Sequence, residues 1–172
     1  MRLILVRHGE KQPLSGFPEA AWPLTPAARE QVRNLREQLE QLGFVLACCL
    51  TSRWQHAVDT ASLLAADGDA KVLPVTGLTP HTDDRFFTLA AILEEAQQNG
   101  LSIADTQTAV LVAHHPRTSH LAKALTGTEP PELGRLEALI LADMPLAKLT
   151  EGQSWIEGRC FGARYNDVQR SR

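Results

Sequence analysis

Hydrophobic residues along this 172-residue chain fall into short continuous runs separated by stretches of helical period. Residues 3–6, 44–50 and 109–113 are runs of strand length, apolar at consecutive positions as in strands buried on both faces, and Lys71 to Val75 predicts a short third strand. Behind Thr25-Pro26, a capping residue followed by proline at the first helical position, Ala28, Val32, Leu35, Leu39 and Leu42 recur every three or four residues until Gly43. Trp54, Ala57, Ala61 and Leu64 mark the apolar stripe of a second helix that begins near Ser52 and ends at Gly68. Phe86, Leu89, Leu93 and Ala96 mark a third, closed by Asn99-Gly100, and Pro116 opens a fourth that runs to about Leu125. Residues 136–141, 147–149 and 153–158 predict closing strands. Strands alternating with helices predict an α/β fold, a three-layer αβα sandwich around a mostly parallel sheet. One domain over residues 1–163 and a polar tail over 164–172 are expected.

The polar residues that terminate these strands carry the chemistry. The first run leaves directly into Arg7-His8-Gly9-Glu10, the second into Thr51-Ser52-Arg53-Trp54-Gln55-His56, and the fourth into His114-His115-Pro116. Ligands of α/β proteins bind at the carboxyl ends of the strands, so neighbouring parallel strands would bring these segments to one pocket. An arginine beside a histidine supplies a permanent cation and an imidazole that is largely neutral, and so nucleophilic, at neutral pH. That equipment suits attack on phosphorus. Residues 11–25, punctuated by proline and glycine, form a loop long enough to reach over such a site.

Composition narrows the class further. A hydrophobic content of 44% supports one full core, and a net charge of −3 gives no reason to expect a nucleic-acid or membrane partner. The first residues hold a single short apolar stretch, below the length of a signal peptide. Cys48 and Cys49 are adjacent in a predicted strand and so point to opposite faces, which reads as buried thiols rather than a disulfide. A cytoplasmic, reducing location is the expectation. Among the six histidines and three cysteines there is no paired Cys-x-x-Cys or His-x-x-x-His framework, so no metal site is expected. The chain lacks a P-loop or dinucleotide fingerprint, and no cofactor is expected.

The order and chemistry of the three strand-end segments resemble the histidine phosphatase superfamily, whose hallmark is an Arg-His-Gly motif near the N-terminus. Within it, the short length and Trp22-Pro23-Leu24-Thr25 are most similar to the phosphohistidine phosphatases of the SixA type. The resemblance runs from about Arg2 to Leu125 and implies a phosphoglycerate mutase-like fold. It implies His8 as the nucleophile of a covalent phosphohistidine intermediate, Arg7 as a phosphate-binding fork and His114 as a donor to a phosphoryl oxygen. It also implies a phosphorylated protein, such as a histidine phosphotransfer domain, or a small phosphorylated molecule as partner; the chain itself is expected to be a monomer.

Departures from the family pattern carry as much information. The family's second segment reads Ser, three residues, then Arg-Ala; counting from Ser52 puts His56 where the phosphate-binding arginine belongs. A protonated His56, Arg53 about one helical turn away, or Arg117 or Arg85 from another loop are the available replacements; without one, the chain is a silent relative that binds phosphate or a phosphoprotein. Trp22 stands where SixA-type proteins carry arginine, as a pocket-mouth residue or a loop anchor. Larger members place a glutamate just before a leucine after the third strand, where this chain has Gly77-Leu78. Asp83, Asp84 or His81 would have to serve as general acid. A phosphorylated imidazole needs less help to leave than an alkoxide, so the missing acid favours phosphohistidine over sugar phosphates and disfavours a mutase. Glu10 reads as a neighbour positioning His8, as a group repelling a second anion or as a surface carboxylate, and His115 as a solvent-facing or helix-capping residue before Pro116.

Overall fold

The computed structural model describes residues 1–66, 68–104, 107–130, 133–141, 156–161 and 164–167. Seven strands form one sheet: β1 (Arg2–Arg7), β2 (Leu46–Thr51), β3 (Lys71–Pro74), β4 (Thr108–Ala113), β5 (Glu137–Leu141), β6 (Ile156–Phe161) and β7 (Arg164–Asp167), in the order β3-β2-β4-β1-β5-β6-β7. The β3-β2-β4-β1 half is parallel and the β5-β6-β7 half continues antiparallel. Four helices, α1 (Pro26–Gln41), α2 (Gln55–Leu64), α3 (Leu89–Gln98) and α4 (Arg117–Thr126), complete the αβα sandwich.

Alternation along the strands explains the two layers of core. In β1, Leu3 and Leu5 join a cluster with Ile92, Leu93 and Ala96 of α3 and Leu121 and Leu125 of α4. Ile4 and Val6 point the other way, to Val32, Leu35 and Leu39 of α1 and Ala57, Ala61 and Leu64 of α2. Strand β4 lies between β2 and β1 and is buried at every position, which accounts for its unbroken apolar run. The α1 start follows its sequence signal: the Thr25 hydroxyl accepts from the Ala28 amide at 3.1 Å, with Pro26 in the first turn.

Some expectations shift. Trp54 precedes α2 as its cap instead of lying on the buried stripe, so the helix starts at Gln55. Residues 84–86 form a 3-10 turn and α3 starts at Leu89, capped by the Thr88 hydroxyl. Residues 164–167 of the expected polar tail pair with β6. Of the closing strands, 147–149 and 153–155 lie outside the described residues, whereas β6 starts at Ile156. All three cysteines are free and buried, and burial pushes the Cys48, Cys49 and Cys160 thiols up to about 11, about 12 and about 11, so they stay protonated and unreactive. Among the described residues, no helix is long and apolar enough to cross a membrane.

Candidate active site

Register places the strand ends together. Arg7 is opposite Ala113 and Thr51 is opposite Val112, so the chains leave β1, β2 and β4 at one level. The ladder continues one step beyond the strands: the His8 amide donates to Ala113 O at 3.1 Å and the Ser52 amide to Val112 O at 3.0 Å. Gly9 follows because space allows little else: a Cβ there would meet Leu24 Cδ2 at 2.9 Å and Ala28 Cβ at 3.2 Å. Thr60 of α2 locks this turn, accepting from the Gly9 amide at 3.2 Å and donating to His56 O at 2.7 Å.

The result is a buried triangle of imidazoles. Ring centroids of His8 and His56 are 4.3 Å apart, His8 and His114 4.6 Å, and His56 and His114 5.2 Å. His8 Nδ1 lies 2.7 Å from Gly9 O; a carbonyl only accepts, so Nδ1 carries the proton and Nε2 the lone pair. By the same argument His56 Nδ1 donates to Trp22 O at 3.0 Å, leaving Nε2 bare, buried and without a hydrogen-bond partner. His114 Nε2 shares a hydrogen bond of 2.8 Å with Ser52 Oγ. Desolvation, with a smaller contribution from His56, lowers the His8 pKa to about 3. Desolvation first, then His8 and His56, lowers that of His114 to about 2, and burial lowers His56 as well. All three rings are therefore neutral at neutral pH.

His8 and His114 open onto a cleft of about 490 Å³ that is also lined by Arg7, Lys11, Arg117 and Arg135. Arg7 Nη1 donates to Leu133 O at 2.8 Å, so the segment leading into β5 holds its fork. Lys11 is paired with Glu19, and Arg135 with Glu10, which settles Glu10 as an exposed carboxylate at the rim. Arg117 is held over the Phe87 ring at 4.6 Å and bonded to Thr82 O, while its Nη1 is buried with no hydrogen-bond partner.

The sequence candidates separate cleanly on this geometry. Arg7, His8, His56 and His114 come together; Arg53 does not. Its side chain is exposed and paired with Glu95 at 3.2 Å, away from the cleft. The α2 turn that brings His56 inward points the residue three positions earlier outward. Arg85 likewise pairs with Asp83 on the surface, and that hydrogen bonding holds the Asp83 carboxyl below its ordinary value. Arg117 is the candidate replacement that lines the cleft. Arg117→Ala is accordingly expected to lower kcat/KM for a phosphorylated substrate by about 10²- to 10³-fold, and Arg53→Ala by less than tenfold. Steady-state kinetics on the two variants decide this, and equal losses would remove Arg117 from the site.

Trp22 acts as a loop anchor. Its indole donates to Phe17 O at 3.0 Å and its carbonyl holds His56. His115 is exposed at the rim. Sequence reasoning did not single out Trp54 as a site residue, yet its ring packs 5.0 Å from His114 and 5.8 Å from His56 and lines the cleft. Nor did it find Arg135, whose contribution depends on the fold bringing β5 beside β1.

Residues 3–80 match the family model described as histidine phosphatase superfamily (branch 1). Over residues 3–80 the chain is similar to that superfamily. Comparison with solved structures gives the same fold over nearly the whole chain. The protein histidine phosphatase SixA in complex with tungstate is similar at a TM-score of 0.73 and 17% identity, over 94% of this chain and 97% of that one. A candidate phosphohistidine phosphatase SixA from Agrobacterium tumefaciens is similar at 0.65 and 15%, over 81% and 90%. Phosphoserine phosphatase from Entamoeba histolytica, in complex with 3-phosphoglyceric acid, is similar at 0.57 and 18%, over 98% of each chain. No curated protein matches the sequence. The histidine phosphatase fold thus supplies the frame in which His8 follows β1 and His114 follows β4.

Proposed function

We propose that this chain is a phosphatase that works through a phosphohistidine on His8 and acts on phosphohistidine carried by a protein. The observation that carries the reading is the tautomer of His8. Its Nδ1–H is committed to Gly9 O, so a neutral Nε2 lone pair is available to the cation-lined cleft. In the first step Nε2 forms a bond to phosphorus while the bond from phosphorus to the leaving nitrogen breaks. The departing imidazole keeps the proton it already carries and leaves neutral. Water then attacks the phosphoenzyme, releasing phosphate and restoring His8. Arg7 and Arg117 act electrostatically, offsetting the charge on the equatorial oxygens.

The carboxylates at the cleft support this choice of substrate. Glu19 is paired with Lys11, and Asp84 lies 3.7 Å from Arg117 with its side chain in solvent, so each is engaged by a cation. Gly77 and Leu78 are buried in a 3-10 turn and bring no acid to the site. A leaving alkoxide would lack a proton donor, whereas a protonated phosphoimidazole does not need one. The tungstate bound by the similar SixA structure is a tetrahedral oxyanion of the kind this cleft suits. Three buried thiols fit a reducing compartment such as the cytoplasm.

The test compares a phosphorylated histidine phosphotransfer domain with an alkyl phosphate such as β-glycerophosphate. General acid catalysis is worth about 10²- to 10⁴-fold, so kcat/KM should favour phosphohistidine by at least about 10²-fold. An alkyl phosphate hydrolysed equally well would overturn the substrate assignment. Binding of the phosphoprotein without turnover would establish a silent relative, the reading favoured by His56 in the arginine's place.

A further inference from the structure

We propose that His8, His56 and His114 form a binding site for one divalent transition ion of the zinc type. The three residues are buried and each offers a ring nitrogen, with these atoms all within 4.8 Å of one another. Two of the imidazoles already have the arrangement that metal-binding histidines adopt. His8 and His56 donate Nδ1–H to the carbonyls of Gly9 and Trp22, which fixes the tautomer and leaves Nε2 as a lone pair. His56 Nε2 supplies the independent observation: it is an acceptor with no hydrogen-bond partner on a side chain fully shielded from solvent. Such an unmatched acceptor calls for a proton donor or a Lewis acid.

The chemistry of that lone pair selects the ligand. A phosphate dianion offers only acceptors and so cannot pair with a bare Nε2 lone pair. A transition ion meets neutral imidazole nitrogen directly. Three neutral imidazoles suit Zn²⁺, Cu²⁺ or Ni²⁺ and are poor ligands for Mg²⁺ or Ca²⁺, which prefer oxygen. Nitrogens on a tetrahedral zinc with bonds of about 2.0–2.1 Å stand about 3.3 Å apart, so atoms now within 4.8 Å of one another must close by up to about 1.5 Å. His114 would exchange its bond to Ser52 Oγ for the ion, while that hydroxyl remains anchored by the Trp54 amide at 3.2 Å. The fourth position faces the cleft, because His8 and His114 line it.

The expectation that no metal site exists rested on local spacing, and these ligands come from three separate strand ends. The site stands on geometry alone. Its consequence rests on the phosphatase reading: an ion held by His8 Nε2 occupies the nucleophile and blocks phosphoryl transfer.

Co²⁺ titration of chelator-treated full-length protein, followed by its visible ligand-field absorption and displacement by Zn²⁺, tests the site without any turnover. A single ion per chain is expected. Loss of an outer-shell partner alone weakens metal binding by about 10- to 100-fold, so His56→Gln should weaken it by more than about 100-fold. His114→Gln should do the same, and circular dichroism on both variants separates ligand loss from misfolding. The variant combining His81→Gln, His115→Gln and His120→Gln should bind like the wild type. Absent stoichiometric binding, or binding lost in the triple variant and kept in His56→Gln, would overturn the proposal. Metal binding without phosphatase activity would refute only the reaction, and activity without metal binding only this site.

Discussion

His8→Ala is expected to abolish turnover, lowering kcat by at least about 10⁴-fold, and to eliminate an acid-labile phosphoenzyme. Each part of that expectation has its own structural basis. Loss of kcat follows because no other neutral nitrogen of the triangle has the same setting. His56 does not line the cleft, and His114 has its Nε2 engaged by Ser52 Oγ. Loss of the phosphoenzyme follows because phosphorus bonded to an imidazole nitrogen is hydrolysed in acid, whereas a serine ester is not. Rapid quench with a ³²P-labelled phosphohistidine protein, followed by acid and base treatment, measures both. The small side chain leaves Gly9 and the β1 ladder intact, so the variant should fold and bind phosphate through Arg7 and Arg117. Retained turnover, or an acid-stable phosphoenzyme, would remove His8 from the role of nucleophile.

The parts of this site that were legible in the sequence are those that local chemistry fixes. Residues 3–10 hold a buried strand, a cation, an imidazole and a glycine in consecutive order, and no other segment has to intervene for that order to matter. The same applies to the β4 exit at His114. Sequence spacing puts Arg53 near His56 but does not say which way either side chain faces. One turn of backbone before α2 takes His56 to zero exposure and leaves Arg53 in solvent beside Glu95. The imidazole triangle was invisible for another reason. Its members belong to three strand exits, and their meeting depends on the order β2-β4-β1 in the sheet, which periodicity does not encode. The antiparallel half of the sheet was partly legible: residues 136–141 carry an apolar run, whereas the polar residues 164–167 give no strand pattern and pair only because β6 offers an edge.

Acidification from pH 7 to pH 5 should destabilise the protein by several kcal/mol. The imidazoles of His8 and His114 have native pKa values of about 3 and about 2, and that of His56 is also lowered, against 6.5 for an ordinary histidine. Between about pH 6.5 and about pH 3 the unfolded chain therefore binds protons that the native state refuses. Stability rises with pH across that window, is complete above it, and is lost as pH falls. Each such group contributes up to about 1.4 kcal/mol per pH unit, and three together up to about 4 kcal/mol per unit, against a total of about 5–15 kcal/mol for a domain. Ordinary carboxylates are still ionised at pH 5, so the trend from 7 to 5 belongs to histidine. Urea unfolding at a series of pH values measures the slope, and His8→Gln should reduce it by about one proton. Inorganic phosphate should flatten it too, because an anion in the cleft stabilises the protonated rings. A stability that does not change between pH 7 and 5 would mean that the triangle is charged or solvated in the native state. The neutral nucleophile would then have no basis in this structure.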